Sequence, residues 1–267
     1  MFKKIISLTP DFIIRFLGRV QFQFPVLRPL INKAAQHAIS GEGVIQRGEG
    51  EGLRFDATHC NPGYLTGTSN PEEQSLLVDV LSEGDVFYDL GANAGFYAVI
   101  AAREVGPQGH VYAFEPTPEL ADRIRYNGRL NEFKHLTVVE AAVCNRNGSI
   151  EFGSEGFDVQ NSIKRAEGEN AIEVRAVTLE AWAENQRPPD VLMMDIEGAE
   201  LDALRGAKDL IRKHRPLMLI EVHWLGQEFI DFVNQELAPL GYEATTYSGD
   251  PLPKDKIDRY HALLVPG

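Results

Sequence analysis

The chain has 267 residues, of which 43 % are hydrophobic and 24 % are charged, and this length suits one α/β domain with an extension. The formal net charge of −13 supplies no general basic field, which argues against a nucleic-acid backbone as the main partner. Two cysteines are too few for a disulfide framework or a cysteine-rich zinc site. A reducing, cytoplasmic environment is therefore expected.

Residues 1–40 form a basic arm, with six Lys or Arg side chains and a single acid, Asp11. Apolar residues between Phe12 and Val20 recur at helical spacing, but Asp11 and Arg15 interrupt them, so a membrane-spanning helix or a signal peptide is not expected. Two interpretations stay open: a helix packed on protein, or a helix resting on anionic lipid at the inner face of the membrane. We predict a basic amphipathic extension over residues 1–50 and a main domain over residues 51–267.

The main domain begins with a helix predicted from Pro71 to near Gly84, after which strands and helices alternate. Seven main strands are predicted over residues 86–90, 111–114, 136–142, 191–195, 217–222, 242–247 and 261–265. The helices between them are predicted over residues 96–105, 118–130, 179–185, 199–214 and 227–240. Two further strands, 149–152 and 172–177, flank a polar loop. This alternation predicts a mostly parallel, Rossmann-like α/β sheet that ends in an antiparallel hairpin at its edge.

The most informative segment is the glycine loop that follows the first main strand. Gly91, Asn93 and Gly95 form a G-x-N-x-G pattern, and Asp89 precedes the first glycine. Backbone amides of such a loop face a ligand, but Asp89 would repel a pyrophosphate. A donor with a cationic centre fits better, and S-adenosylmethionine, with its sulfonium and ammonium groups, is the obvious candidate. A simple capped strand-to-helix turn is the alternative interpretation.

The second and third strands also end in residues that suit such a donor. Glu115 lies 24 residues after Gly91, near the spacing of about 20 that is typical of an acid binding ribose hydroxyls. A helix start is the other interpretation of Glu115, which precedes a proline. Ala142 lies among small residues that leave room for an adenine ring, although small residues also simply pack well.

The fourth and fifth strands end in groups that could carry chemistry. Asp195 and Glu197 share a face if the strand continues through them, and they could deprotonate a hydroxyl or bind a metal or substrate hydroxyls. Glu197 could instead cap the following helix. Glu221 and His223 alternate onto one face, and His223 is a candidate general base, although a lone histidine is more often structural. The other histidines, His261 included, have no comparable placement.

With these strand ends in place, the chain resembles the FkbM family of S-adenosylmethionine-dependent methyltransferases over roughly residues 70–225. The segments that carry the resemblance are DVFYDLGANAGFYAVIAA, GHVYAFEPTPEL, VRAVTLEAW, VLMMDIEGAELDALRGA and RPLMLIEVH. The DIEGAE block, followed by a leucine and a GA pair, is the most specific of them. The resemblance implies the class I methyltransferase variant of the Rossmann-like fold.

The resemblance also implies roles for individual residues. Asp89, Gly91, Asn93 and Gly95 would hold the methionine moiety of S-adenosyl-L-methionine, and Glu115 would hold its ribose. Asp195 and Glu197 would line the methyl-transfer site, with His223 as a further candidate base. Asn161 and Ser162 would help to shape the substrate mouth, which is expected to be built from residues 57–70 and 153–170.

The implied reaction is O-methylation of a hydroxyl on a sugar, a glycolipid or another small molecule. No metal ion is assigned, and metal dependence, oligomeric state and the identity of the acceptor stay open. Two other functions are weighed against this one. An NAD-dependent oxidoreductase is disfavoured by Asp89 and by the absence of a third loop glycine, and a non-catalytic cofactor-binding scaffold is disfavoured by the retention of Asp195, Glu197 and His223.

Overall fold

The structure of the protein, a computed structural model, describes residues 41–153 and 171–267. The predicted helix of the basic arm and the pair Asn161 and Ser162 lie outside these ranges. Two compact units are found, with their boundary between Pro71 and Glu72. The predicted division at residue 50 stays a prediction.

The first unit contains a short antiparallel pair of strands, β1 (Glu42–Val44) and β2 (Arg54–Asp56), joined across the pair by an Arg54–Glu42 ion pair. A single helical turn, α1 (Gly63–Thr66), follows and ends at Gly67. Gly67 has a φ of 68°, and a Cβ there would overlap the carbonyl oxygen of Arg47. The close approach of these two backbone segments therefore requires glycine.

The second unit carries the main sheet and its helices. Its helices are α2 (Pro71–Val80, starting at the boundary), α3 (Phe96–Val105), α4 (Pro118–Leu130), α5 (Leu179–Ala183), α6 (Glu200–Arg205), α7 (Lys208–His214) and α8 (Gln227–Phe232). Its strands are β3 (Val86–Leu90), β4 (His110–Phe114), β5 (Leu136–Val139), β6 (Ala142–Val143), β7 (Gly148–Gly153), β8 (Ala171–Val177), β9 (Val191–Met194), β10 (Leu217–His223), β11 (Tyr242–Thr246) and β12 (Arg259–Pro266).

Among the described strands, seven form one sheet in the order β11-β12-β10-β9-β3-β4-β5. Neighbours from β10 to β5 pair in parallel, whereas β12 pairs antiparallel with both β10 and β11. Every residue of β3 and β9 is buried, as expected for central strands that helices cover on both faces. The predicted fold, a seven-stranded and mostly parallel Rossmann-like sheet with a terminal antiparallel hairpin, is confirmed.

The register of the central strands brings their carboxyl ends to one edge of the sheet. Leu90 of β3 pairs with Phe114 of β4 on one side and with Met194 of β9 on the other, and Met194 pairs with Ile220 of β10. The loops that follow these strands therefore begin side by side. Ligands of open parallel sheets bind at such an edge.

The third predicted strand is shorter than expected. It ends at Val139 rather than Ala142, because Ala142 pairs with Ala176 of β8 in a separate three-stranded sheet of order β6-β8-β7. Ala142, Ile150, Phe152 and Ala176 belong to the apolar cluster of this small sheet. The chain thus leaves the main sheet three residues earlier than predicted.

Two predicted helices are interrupted. Residues 199–214 form α6 and α7 rather than one helix, and the break falls at Gly206, where a Cβ would lie 2.3 Å from the carbonyl oxygen of Cys144. Residues 227–240 continue from α8 through a π-helical turn, Val233–Leu237, into a 3₁₀ turn, Ala238–Leu240. Among the helices that the structure describes, none has the length and apolar character needed to cross a membrane.

Candidate functional site

The glycine loop after β3 lies directly against the end of β9. Gly91 has a φ of 85°, and a Cβ at this position would lie 2.0 Å from the backbone oxygen of Asp195. Gly95 has a φ of 83°, and its Cβ would lie 3.0 Å from Ile124 of α4. These two glycines therefore let the loop pass close to the neighbouring strand end and helix, which a larger residue would prevent.

Asn93 and Glu115 connect the ends of β3 and β4. The backbone N–H of Asn93 donates to Glu115 Oε2 at 3.0 Å, and the backbone N–H of Thr117 donates to Glu115 Oε1 at 2.9 Å. Asn93 has a φ of 51°, and its side-chain Oδ1 accepts the N–H of Ala94 at 2.7 Å. The Glu115 carboxylate is thus fixed in place while each oxygen keeps a further lone pair for a hydroxyl donor.

Asp89 is a buried acid at the end of β3, and its Oδ2 has no hydrogen-bond partner among the described residues. Burial, followed by the charges of Glu73 and Glu115, raises the pKa of Asp89 to about 7. Burial likewise raises the pKa of Glu115 to about 7, against the hydrogen bonds from Thr117 and Asn93, which lower it. Two neighbouring buried acids with raised pKa values indicate a site suited to bind a cation or a polar ligand.

The carboxylates of Asp195 and Glu197 lie close to one another, but not because the two residues share one face of a strand. β9 ends at Met194, and Glu197 takes a left-handed φ of 51° in the turn before α6. The strand therefore does not continue through Glu197, which was the condition for a shared strand face, but the turn still brings both carboxylates to one place. The carboxylate that accepts the backbone N–H of Gly198 at the start of α6, at 2.8 Å, is Glu200.

His223, at the end of β10, lies between these acids. Its Nε2 is 3.8 Å from Asp195 Oδ1 and 3.6 Å from Glu197 Oε2, and its Nδ1 is 2.9 Å from Oε1 of the fully buried Glu200. Burial by itself would lower the pKa of His223, but the hydrogen bond with Glu200 and the surrounding carboxylates raise it above its ordinary value. The predicted trio of Asp195, Glu197 and His223 is thus brought together.

Glu221 adds a further buried carboxylate beside Asp195. Its Oε1 lies 3.9 Å from His223 Nε2 and 3.0 Å from the Arg259 guanidinium of β12. Two fifths of the Asp195 side chain is exposed, yet its Oδ1 is enclosed and has no hydrogen-bond partner among the described residues. Burial, followed by the nearby charges of Glu221 and Glu197, raises the pKa of Asp195 well above its usual range.

His261 also lies beside these acids, and the sequence analysis did not predict this position for it. Strand β12 pairs His261 directly opposite Glu221, so that His261 Nε2 lies 3.8 Å from Glu221 Oε1 and 3.7 Å from Glu73 Oε1. Its ring stacks on Tyr247, with centroids 4.9 Å apart. Burial and the charges of Glu73 and Glu221 raise the pKa of Tyr247, whose hydroxyl therefore keeps its proton. The sequence gives no local signal that β12 lies beside β10, so the position of His261 could not be predicted from it.

The glycine loop and the residues at the ends of β3, β4, β9 and β10 lie within the region that matches a known domain. Residues 89–244 match the methyltransferase FkbM domain. The chain belongs to the FkbM methyltransferase family. It is therefore an S-adenosylmethionine-dependent methyltransferase, and S-adenosyl-L-methionine is its cofactor.

Two relatives and one solved structure illustrate what this chain is similar to. The chain is 27 % identical to the 2-O-methyltransferase NoeI of Sinorhizobium fredii over 173 residues, covering 57 % of this chain and 70 % of NoeI. It is 26 % identical to the hexuronic acid methyltransferase AglP of Haloferax volcanii over 152 residues, covering 55 % of this chain and 60 % of AglP. A crystal structure of methyltransferase FkbM from Methylobacillus flagellatus KT aligns with a TM-score of 0.47 at 17 % identity, covering 76 % of this chain and 53 % of that chain. The chain thus spans less than two thirds of two of these three proteins.

The residues of the FkbM domain fit the chemistry of this cofactor. Asp89 presents a buried oxygen without a partner, which suits a cationic group, and Glu115 presents a fixed carboxylate, which suits a pair of ribose hydroxyls. Gly91 leaves the loop without a side chain where it passes the end of β9, and Gly95 does the same where the loop passes α4. Ala142, by contrast, is placed in the apolar cluster of the small sheet, and its contact with adenine stays a prediction.

Proposed function

We propose that this FkbM protein is an O-methyltransferase that acts on a hydroxyl group of a sugar, a glycan or a glycolipid. The observation that carries the proposal is the convergence of Asp195, Glu197 and His223 beside the donor loop, with Gly91 against the backbone of Asp195. Two relatives support the choice of acceptor, since one is named a 2-O-methyltransferase and the other a hexuronic acid methyltransferase.

We assign the donor to the edge formed by β3 and β4. Asp89, Gly91, Asn93 and Gly95 would hold the methionine end of the cofactor, where the ionised Asp89 would face its ammonium group. Glu115 would accept the ribose hydroxyls. The backbone N–H of Asn93 keeps Glu115 oriented for this task.

We assign the acceptor to the edge formed by β9 and β10. When bound, S-adenosylmethionine supplies a methyl group on a positively charged sulfur, which is already a good leaving group. The protein must therefore position the acceptor oxygen and stabilise it as its proton leaves. Asp195, Glu197 and His223 surround one point and are suited to hold that oxygen, while Glu200 fixes the ring of His223.

The basic arm has a place in this proposal as a targeting segment. Its charge of +5 would favour the inner face of an anionic membrane, where lipid-linked glycans are available, with packing on protein as the alternative. A cytoplasmic site of action is part of the same proposal. A nucleic-acid acceptor is not proposed, because the net charge of the chain is −13.

The proposal is tested by comparing glycans and glycolipids from cells that contain the protein, lack it, or lack it and carry a plasmid-borne copy. We expect at least one glycan from the first and third cells to be heavier by one methylene group, as measured by mass spectrometry. A labelled S-adenosylmethionine methyl group should appear in that same glycan. Identical glycan and lipid profiles in all three cells, with labelled methyl groups found only on protein or nucleic acid, would contradict the proposal.

A further inference from the structure

The point where Asp195, Glu197 and His223 converge has the dimensions of a cation site. One ligand atom from each residue lies within 4.8 Å of the other two. His223 Nε2 is 3.8 Å from Asp195 Oδ1 and 3.6 Å from Glu197 Oε2. Two ligand atoms that each bind one cation at about 2.1–2.2 Å lie about 3.0–3.6 Å apart. The two distances from His223 Nε2 are therefore at or within a few tenths of an ångström of the separation that a shared ion requires.

The same distances fit poorly with a direct ion pair. A protonated His223 bonded to a carboxylate would approach it to about 2.7–2.9 Å. Instead Nε2 lies 3.6–3.9 Å from three different carboxylates, those of Asp195, Glu197 and Glu221. Asp195 Oδ1 is enclosed and has no hydrogen-bond partner among the described residues. A buried carboxylate oxygen and a buried imidazole nitrogen thus face one another across a gap without bonding.

The surroundings of His223 are those of a metal-binding histidine. Its side chain is 4 % exposed, and its Nδ1 lies 2.9 Å from Oε1 of the fully buried Glu200. This oxygen also accepts the backbone N–H of Gly198, so Glu200 acts as an acceptor, and the imidazole proton belongs on Nδ1. The lone pair of the neutral ring then lies on Nε2, facing Asp195 and Glu197. A carboxylate on the far nitrogen is the usual partner of a metal-bound histidine.

We propose that Asp195, Glu197 and His223 bind a divalent first-row transition-metal ion, with Glu200 orienting the histidine. Carboxylates suit Mn²⁺, and imidazole suits first-row ions more generally, whereas Mg²⁺ favours oxygen ligands alone. Three protein ligands leave positions open for the acceptor oxygen, whose hydroxyl would become more acidic on the ion. This inference rests on the proposed function, because that proposal places the acceptor at this point. It assigns Asp195, Glu197 and His223 as ligands of the metal ion.

The test measures Mn²⁺ binding to the chelator-treated full-length protein, without donor or acceptor. We expect saturable 1:1 binding by calorimetry, with loss of the free-ion electron paramagnetic resonance signal. The double substitution Asp195→Asn and Glu197→Gln should abolish it, and Glu200→Gln should weaken it about 10- to 100-fold. The control Asp209→Asn, on an exposed acid of α7 that pairs with Arg212, should bind as the unaltered protein does.

A second measurement does not depend on the folding of variants. In the unaltered protein, Mn²⁺ should broaden the imidazole nuclear magnetic resonance signals of His223 and leave those of His214, at the end of α7, sharp. Absence of binding up to about 1 mM Mn²⁺, which corresponds to about −4 kcal/mol, would overturn the inference. Binding retained in the double variant, or broadening that spares His223, would do the same. Because no acceptor is present, these outcomes are independent of whether glycans are methylated.

Discussion

Replacing Asp195 by Asn, or Glu197 by Gln, is expected to lower methyl transfer by about 10²- to 10⁴-fold while the affinity for the donor product S-adenosylhomocysteine stays close to that of the unaltered protein. Each amide keeps the shape of the side chain but removes the negative charge that holds the acceptor oxygen and stabilises it as its proton leaves. Both carboxylates lie within 4 Å of His223 Nε2. The measurement is methylated glycan in cells complemented with each variant, together with calorimetry of S-adenosylhomocysteine binding to the purified proteins.

Glu140→Gln is a suitable control for these two variants. Glu140 is an exposed acid that pairs with Arg125, and its loss should leave methylation unchanged. If both the Asp195→Asn and the Glu197→Gln variants methylate as well as the unaltered protein, the proposed role of these two carboxylates in methyl transfer is wrong. A loss of S-adenosylhomocysteine binding in parallel with methylation would instead assign them to the donor site.

The affinity for S-adenosylhomocysteine is expected to fall as the pH is lowered through 7. Asp89 and Glu115 of the free protein each have a pKa raised to about 7, and the ammonium and ribose hydroxyls of the ligand favour their ionised forms. Binding below pH 7 must therefore expel protons. The affinity should be highest above pH 7 and should fall up to about 10-fold per pH unit for each group below it.

Calorimetry between pH 5.5 and pH 7.5, in buffers of different ionisation enthalpy, measures both the affinity and the number of protons released. Asp89→Asn should bind more weakly at pH 7.5 and should lose part of the pH dependence, because an amide does not titrate. Glu104→Gln, which alters a partly exposed acid paired with Arg103 on α3, is the matched control. An affinity that is flat with pH, or that improves as the pH falls, would contradict the assignment of Asp89 and Glu115 to the donor.

The same shifts predict the stability of the ligand-free protein. Because the folded-state pKa values of Asp89 and Glu115 are raised, the stability associated with these groups is fully present below their unfolded pKa values near 4. It is lost as the pH rises through 7, where two buried carboxylates must ionise. The thermal stabilisation by S-adenosylhomocysteine should therefore be larger at pH 7.5 than at pH 6, which a melting series would measure.

The central sheet was predictable because its strands are apolar runs that end in sharp changes of composition. Val191–Met194 is buried throughout and stops at Asp195, and Val86–Leu90 stops at the glycine loop. In a parallel sheet such ends meet at one edge, so the neighbourhood of Asp89, Asp195 and His223 follows from the order of elements. Local sequence was therefore sufficient to predict the central strands and the edge of the sheet that carries the site.

The remaining features depend on contacts between distant parts of the chain. His261 joins the site because β12 inserts antiparallel beside β10, and no local pattern specifies that register. The break between α6 and α7 depends on Gly206 meeting the backbone of Cys144. Glu200 was visible in the DIEGAE block, but its hydrogen bond to His223 depends on the turn in which Glu197 is left-handed.

The most direct test of the whole account is titration calorimetry of the purified protein with S-adenosylmethionine, S-adenosylhomocysteine and NADH in turn. The account predicts saturable 1:1 binding of both sulfur compounds and none of NADH, because Asp89 at the loop attracts a cation and repels a pyrophosphate. Clear heat with NADH, together with none from either sulfur compound, would contradict it.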